Sequence, residues 1–489
     1  MFDDAEAVLE THVSSVYLVG DRAYKRKKPI RTPFLDYTTP ERRAEACAEE
    51  VRLGRRLAPD VYLGVEALPG DDWAVVMRRM PLGRRLSTLV QDGTDVSGPV
   101  REIARRVAAL HLRSGRLPAA DEAASPAETV HRWEANHVEL ERFADRLADP
   151  GASDRALELA RRYVAGRGAL FASRIAAGRA VDGHGDLLAD DIFVLPDGPR
   201  ILDPIEFDPR LRYGDGLADI AFLAMHLEWL GGERFAHELL ARYAEFAADH
   251  WPASLEHFHI AYRAQVRAKV ACLAAAERGN TSAPDADGFL QLALAHLDAG
   301  RPRLVLVGGP PATGKTTVSR AVGDARGWVV LRSDDVRKEL AGIPATAPAA
   351  APLMAGVYSP AMTALTYGEL VHRARGLLER GESVVLDATW GDETWREEAR
   401  RVGVAGHADV VELRCAAPVD LAARRAAERT HAGSDAGPDV AAELASRFPE
   451  WPEATAIDTA GRPDAACRAA VAAAGGTGPR RAAAAVGWG

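Results

Sequence analysis

"LVLVGGPPATGKTT" (304–317) decides the fold of the second part of this chain. It opens as an unbroken apolar run, the pattern of a strand buried on both faces of a parallel sheet. It closes on the spacing GxxxxGKS/T, with Gly309, Gly314, Lys315 and Thr316 at the defining positions. In such a loop, here Gly309, Pro310, Pro311, Ala312, Thr313, Gly314, Lys315, Thr316 and Thr317, backbone N–H groups curl around a phosphate. Lys315 reaches the β- and γ-phosphates of a nucleotide, and the Thr316 hydroxyl is placed to ligate Mg²⁺. The helix expected from "TTVSRAV" (316–322) points its positive end at the same anion. A chance Gly-rich turn would lack this strand before and helix after.

Working outward, "LRSDDVRKEL" (331–340) follows the next apolar strand. Asp334 is a candidate base toward an acceptor hydroxyl, and Arg337, one helical turn on, a candidate holder of the transferring phosphoryl group. The plainer alternative is a helix cap with solvated charges. "SVVLDAT" (383–389) ends in Asp387, a candidate Walker-B-type partner of Mg²⁺. "RRAAERTHAGSDAGPDV" (424–440) carries Arg425 and Arg429 on one expected helix face, suited to a lid over the phosphate or to a solvated basic face.

The strands "LVLVGG", "WVVLRS", "SVVLDAT", "ADVVELRC" and "ATAIDT" alternate with helical stretches, the mark of a doubly wound α/β domain. "LDAGRPR" (297–303) punctuates the chain just before them. The expected domains are 1–299, 300–474 and a disordered, low-complexity tail over 475–489. "IPATAPAAAP" (343–352) reads as a surface loop.

The first domain has a different character. "VYLV" (16–19) and "RAYKRKK" (22–28) flank Gly20 and Asp21, a two-residue hairpin loop. "TTPERRAEACAEEVRLGRRLAP" (38–59) predicts a helix capped by Thr39, begun by Pro40 and ended at Pro59. "WAVVMRRM" (73–80) reads as a strand, and 100–180 is mostly helical in pattern. "HGDLLADDIFVLPDGPRILDPIEF" (184–207) breaks that pattern with two short strands around a Pro-Asp-Gly turn. It reads like the catalytic loop of a kinase, with Asp186 poised to take a proton from a hydroxyl.

Two resemblances sharpen this. "LVLVGGPPATGKTTVSRAV", "LRSDDVRKELAG" and "VVLDATW" resemble the P-loop kinase group that includes gluconate-kinase-like and zeta-toxin-like proteins, over about 301–459. "HGDLLADDIF" resembles the catalytic loop of aminoglycoside-phosphotransferase and choline-kinase-like enzymes. That likeness implies Asp186 as base, His184 as a brace, and Asp191 and Asp203 as metal ligands. It also implies that Lys25 or Lys27 reaches the α/β-phosphates, with Glu50 paired to it. Both lysines point to one face of their strand, so spacing does not choose between them.

Asp191 stands where that family usually has Asn. Asp remains a hard oxygen ligand, but a third carboxylate adds repulsion toward ATP. "ETHVSSVYLVGDRAYKRKKPIRTPFLDYTT" (10–39), "HGDL", "DPIEF" and "YRAQVRAKVACL" together resemble bacterial fusions of an aminoglycoside-phosphotransferase-like domain with a P-loop kinase. In the last stretch Arg263 and Arg267 lie one helical turn apart, reading as surface charges or as an acceptor-pocket lining.

The expected architecture is therefore an α+β protein-kinase-like (aminoglycoside phosphotransferase-like) N-terminal domain followed by an α/β P-loop NTPase domain with a parallel sheet. The leading functional expectation is a bifunctional ATP-dependent phosphotransferase using ATP and Mg²⁺ on small-molecule hydroxyls. The alternatives are a single P-loop kinase with a degenerate N-terminal binding domain, and a nucleotide-sensing regulatory ATPase. The bulk composition agrees with a soluble protein: 489 residues, 47% hydrophobic, 27% charged. A net charge of −9 argues against nucleic acid as a partner. Four scattered cysteines, an acidic N-terminus and no long uncharged apolar run lead us to expect a cytoplasmic chain with reduced thiols and no membrane partner.

Overall fold

The computed structural model describes residues 6–10, 13–31, 35–344, 356–428 and 448–475. The chain divides into two compact units. One comprises Met1–Ala160, Phe171–Trp251 and Glu256–His296; the other comprises Leu297–Gly489 with Arg161–Leu170 and Pro252–Leu255. Most of the loop expected at 343–352, and all but the first residue of the tail expected at 475–489, lie outside the described residues.

The first unit opens with a sheet of five antiparallel strands in the order β1-β2-β3-β5-β4. These are β1 (Ala7–Glu10), β2 (Ser14–Val19), β3 (Arg22–Lys27), β4 (Tyr62–Leu68) and β5 (Asp72–Arg78). Val19 pairs with Arg22 across the expected tight loop, where Gly20 takes φ +57°, a conformation open to glycine.

Helix α1 (Pro40–Gly54) begins as expected: the Thr39 hydroxyl accepts from the Arg42 N–H, with Pro40 in the first turn. It stops at Gly54 rather than running to Pro59. A Cβ on Gly54 would stand 2.3 Å from the Tyr62 ring, so the chain turns where that ring packs.

Helices follow through the middle of this unit, among them α2 (Ser97–Arg113), α3 (Gly216–Trp229), α4 (Glu233–Ala247) and α5 (Ala253–Glu277). Helix α3 is buried from Gly216 to Leu227 apart from Ala218, because "LADIAFLAMHL" offers apolar or small residues on nearly every side. Two small pairings frame the loops that matter. Strand β6 (Ala180–Asp182) pairs with β9 (Tyr213–Asp215), and β7 (Ile192–Leu195) pairs with β8 (Gly198–Ile201). The segment 183–191 thus hangs between β6 and β7, and 202–212 between β8 and β9.

The second unit holds a parallel sheet of five strands in the order β11-β12-β10-β13-β14. They are β10 (Arg303–Gly308), β11 (Val329–Arg332), β12 (Val384–Asp387), β13 (Asp409–Ala416) and β14 (Thr455–Asp458). The expected apolar run is the central strand and is wholly buried. Leu304 and Leu306 join the core on one face with Val384 and Leu386; Val305 and Val307 join the core on the other with Val385 and Leu413. Two apolar faces require an apolar residue at every position, which is why the run does not alternate.

Helices α6 (Lys315–Arg326), α7 (Ser333–Leu340), α8 (Pro360–Glu379), α9 (Glu393–Ala405), α10 (Val419–Glu428) and α11 (Pro463–Ala473) complete the described part of this unit. Among the described residues, no helix is long and apolar enough to cross a membrane.

Candidate functional site

Each unit gathers one set of candidate residues. In the first unit, β3, α1 and the segment 202–212 supply a buried lysine–glutamate quartet. Lys25 Nζ lies 3.0 Å from Glu50 Oε1 and also bonds Asp203 Oδ1. Lys27 Nζ lies 2.5 Å from Glu50 Oε2 and bonds Glu206, which accepts from the Tyr37 hydroxyl at 2.6 Å.

Lys25 is therefore the lysine that meets Asp203. Lys27 sits behind it, fully buried. Desolvation works against both charges, but Asp203 and Glu50 hold Lys25 well above its ordinary range, and Glu206 and Glu50 hold Lys27 above its own.

The loop 183–191 is braced from α3. Asp219 accepts from the N–H of His184 and of Gly185, each at 2.8 Å. A third contact joins Asp219 to His111 Nε2 at 3.0 Å, and His111 Nδ1 meets the Tyr243 hydroxyl at 2.7 Å. A Cβ on Gly183 would stand 2.5 Å from the Asp219 carboxylate, so this approach requires glycine there. His184 Nε2 lies 3.0 Å from the Leu202 carbonyl, tying the loop to the segment that carries Asp203.

Asp203 takes φ +63°, an uncommon backbone for a residue with a side chain, and its N–H donates to the Tyr62 hydroxyl at 2.8 Å. Such strain costs about 1–3 kcal/mol and persists where surrounding contacts hold it.

Three carboxyl groups interact in this site. Desolvation raises Asp186 to about 6; Arg267 and Arg263 pull it down and Asp203 pushes it up. Desolvation, then Asp203 and Asp186, raises Asp191 well above the usual carboxylate range. Burial would raise Asp203 too, but Lys25 and Lys27 hold it low. One lysine against three acids leaves surplus negative charge among hard oxygen donors, a set suited to magnesium through Asp191 and Asp203.

In the second unit the phosphate loop runs from the end of β10 into α6. Gly309 takes φ +133°, Ala312 +62° and Gly314 +93°, turning backbone N–H groups inward as a nest. A Cβ on Gly309 would stand 2.6 Å from the Cys415 carbonyl. Lys315 Nζ donates to the Pro310 carbonyl at 2.9 Å, and the Thr313 hydroxyl to the same carbonyl at 2.8 Å. Pro311 is buried and Thr317 exposed.

The Thr316 hydroxyl donates to Asp387 Oδ2 at 2.8 Å. That pair, a hydroxyl from the start of α6 and a carboxylate from the end of the neighbouring strand β12, is an all-oxygen donor set that fits magnesium. Asp334 lies 3.2 Å from Arg337 Nη1; desolvation raises its carboxyl despite Arg337 and Lys315. The Arg337 guanidinium stands 4.9 Å over the Tyr358 ring and is not a solvated surface charge. Arg425 donates to the Thr459 carbonyl at 2.9 Å. Arg429 lies outside the described residues.

Comparison with known proteins adds a lineage. A family model described as an AAA domain (AAA_33) matches residues 304–450. The chain is 43% identical over 459 residues to the uncharacterized protein Rv2004c of Mycobacterium tuberculosis, covering 93% of this chain and 92% of that one. This chain belongs to the Rv2004c family.

Solved structures resemble its two parts separately. A gluconokinase from Sinorhizobium meliloti 1021 is similar at 20% identity and TM-score 0.27, covering 35% of this chain and 91% of that one. A thermostable mutant of aminoglycoside phosphotransferase APH(4)-Ia is similar at 13% identity and TM-score 0.39, covering 60% of this chain and 95% of that one. In this Rv2004c-family member the AAA-domain match at 304–450 falls within the unit that carries the phosphate loop.

Four residues of these sites escape a reading of motifs alone. Glu206 closes the quartet around Lys27, Tyr62 holds the Asp203 backbone, Thr459 donates to the Thr313 carbonyl, and Arg332 reaches Asp387 at 3.4 Å. Glu206 alone left a trace: two lysines on one buried strand face need two acids.

Proposed function

We propose that the chain is a bifunctional ATP-dependent phosphotransferase, each unit moving the γ-phosphoryl of Mg·ATP to a small-molecule hydroxyl. The observation that supports it best is Lys25, bonded at once to Glu50 and Asp203. These three residues come from a strand, a helix and a distant loop, and a mere binding module has no need of their assembly.

In the first unit Asp186 accepts the proton of the acceptor hydroxyl. That oxygen forms a bond to the γ-phosphorus as the bond to the β-phosphate oxygen breaks, and ADP leaves. A carboxyl near 6 holds the proton well enough to take it and is still largely ionised at neutral pH. Lys25 exchanges Asp203 for the α/β-phosphates, with Glu50 keeping it extended. Magnesium, held by Asp191 and Asp203, neutralises phosphate charge when bound.

In the second unit the loop 309–317 wraps the phosphates, Lys315 exchanges the Pro310 carbonyl for them, and Thr316 and Asp387 hold the metal. Asp334 is the base, Arg337 holds the acceptor or the phosphoryl group, and Arg425, which donates to the Thr459 carbonyl, is the described arginine of the pair expected to close on the phosphate.

ADP release from Mg·ATP against pooled sugars, sugar acids, nucleosides and aminoglycosides tests this. Asp186→Ala and Lys315→Ala are each expected to abolish a different acceptor-dependent activity. Loss by Lys315→Ala alone would support the second reading, a binding module in the first unit. The crowding of Asp186, Asp191 and Asp203, with Asp191 in a place where Asn would relieve it, favours that reading.

A further inference from the structure

An open cleft lies in the first unit, joined to the loop 183–191 through Arg263, which donates to the Gly185 carbonyl. It belongs neither to the lysine quartet nor to the metal-ligand set. Its walls come from α3, α5, the β9 strand and the helical segment before β6.

The charges on its walls do not cancel. The two acids are already occupied. Asp215 is clasped by Arg174 through two bonds of 2.7 and 2.6 Å, and Asp219 serves His111 and the backbone of His184 and Gly185. Among the cationic residues, Arg212 is matched by Asp182 at 2.9 Å, and Arg132 leans on Glu128 at 3.3 Å while donating to the Tyr213 and Arg210 carbonyls.

Arg263 makes no ion-pair contact among the described residues, and Asp219 and Asp186 act on it only through space. Its guanidinium donates only to two backbone carbonyls, Ala218 at 2.9 Å and Gly185 at 3.2 Å. It stacks over the Phe222 and Tyr262 rings at 4.7 and 5.6 Å. Arg263 is thus an inward-facing cation, not one of the surface charges its helical spacing also allowed.

Beside it, His259 is only 6% exposed and lines the same cleft, yet its Nε2 has no hydrogen-bond partner among the described residues. A buried ring nitrogen without a partner, next to an unmatched guanidinium, is costly in an unliganded fold. Both costs vanish if an anionic oxygen sits between them.

We infer that this cleft is the acceptor subsite of the first unit and that it takes a hydroxyl compound carrying a carboxylate or phosphate, anchored by Arg263 and the Nε2–H tautomer of His259. The inference rests on the phosphotransferase reading above for the word acceptor. Position supports it: Arg263 donates to the carbonyl of Gly185, the residue directly before Asp186, so an anion held there lies beside the candidate base. The charge also sets direction. A cationic aminoglycoside would meet Arg263 as a like charge.

The test uses the full chain bearing Lys315→Ala, which silences transfer by the second unit. D-gluconate, glucose 6-phosphate, glucose and kanamycin are titrated calorimetrically, with Asp186-dependent ADP release measured in parallel. Gluconate or glucose 6-phosphate is expected to bind, the preferred one telling carboxylate from phosphate. Arg263→Gln should weaken that binding about tenfold or more, the scale of a charged hydrogen bond. Binding of gluconate elsewhere in the chain would not respond to it.

His259→Phe, which touches no atom of the catalytic loop, should raise the acceptor KM more than it lowers kcat. It also keeps the test valid if Arg263→Gln fails to fold. Arg263-dependent binding without ADP release would sustain the anionic cleft and sink phosphotransfer by this unit. ADP release with glucose or kanamycin, indifferent to both variants, would do the reverse. No binding of either anion overturns the inference outright.

Discussion

In the function proposed above, the two units would handle the same chemical problem, an ATP polyphosphate, by opposite routes. The second unit writes its site almost continuously: one strand, one loop and one helix start deliver Gly309 to Thr317, and Asp387 arrives from the neighbouring strand. The first unit collects Lys25, Glu50, Asp186, Asp191 and Asp203 from across its sequence, with ion pairs tying Lys25 to Glu50 and Asp203. Backbone N–H groups serve the one and side-chain charges the other. A backbone nest keeps its form without its ligand, whereas a cluster of charges is held only by its mutual balance. The first unit should therefore be the one whose stability responds to single charge changes.

The largest effect that would probe this contrast is Lys315→Ala. Loss of the lysine that meets the β- and γ-phosphates should lower acceptor-dependent ADP release by the second unit about 10³-fold, with the unfolding midpoint unchanged. In the first unit, Lys27→Met should do the converse. It leaves Glu50 and Glu206 buried without their shared cation, at a cost of about 3–5 kcal/mol, read as a drop in the denaturant midpoint of that unit. Equal stability of the two variants would break the comparison.

Asp191→Asn comes next. At alkaline pH, where Asp191 is ionised despite its raised titration, removing one of three crowded carboxylates should tighten metal-free ATP binding to the first unit about tenfold, seen by calorimetry with a chelator present. Unchanged affinity would mean that Asp191 does not face the nucleotide.

The smallest effect concerns pH. Burial holds His259 at about 4, below the ordinary 6.5, with Asp215 pulling up and Arg174 and Arg263 pushing down. The unfolded chain then takes the proton first, so folding stability falls as pH drops from about 6.5 through 4. Between pH 6.5 and 5.5 the loss should be about 1 kcal/mol, and His259→Gln should flatten that slope. A slope that survives the substitution would assign the loss to other groups.

Legibility in the sequence followed the same divide. The run at 304–308 announced a central buried strand because it carries no polar residue, and the spacing from Gly309 to Thr316 announced the loop. The hairpin at Gly20 and the Thr39 cap were legible for the same reason: their causes are local.

The choice between Lys25 and Lys27 was not. Strand alternation puts both on one face, and only the packing of 203–206 against that face gives each its own acid. The end of α1 escaped for a related reason, since Gly54 stops the helix against Tyr62 on the far side of a turn. Asp219 lies in no motif, yet its two bonds to the backbone of His184 and Gly185 make it the support on which Asp186 is displayed. The charge of the acceptor cleft was hidden most deeply, because it depends on which arginines already have partners.

The quartet of Lys25, Lys27, Glu50 and Glu206 has one more consequence. Its two cations and two anions are closed among themselves, so Lys25 can leave Asp203 for a phosphate without stranding any member. The same closure restrains inheritance. A drifting lineage that changes one of the four leaves a naked charge in a dry interior, and the next surviving change must fall on a partner. These positions should be lost in pairs, so a descendant that had abandoned catalysis would record it there as a matched double replacement, long after its catalytic loop had become unrecognisable.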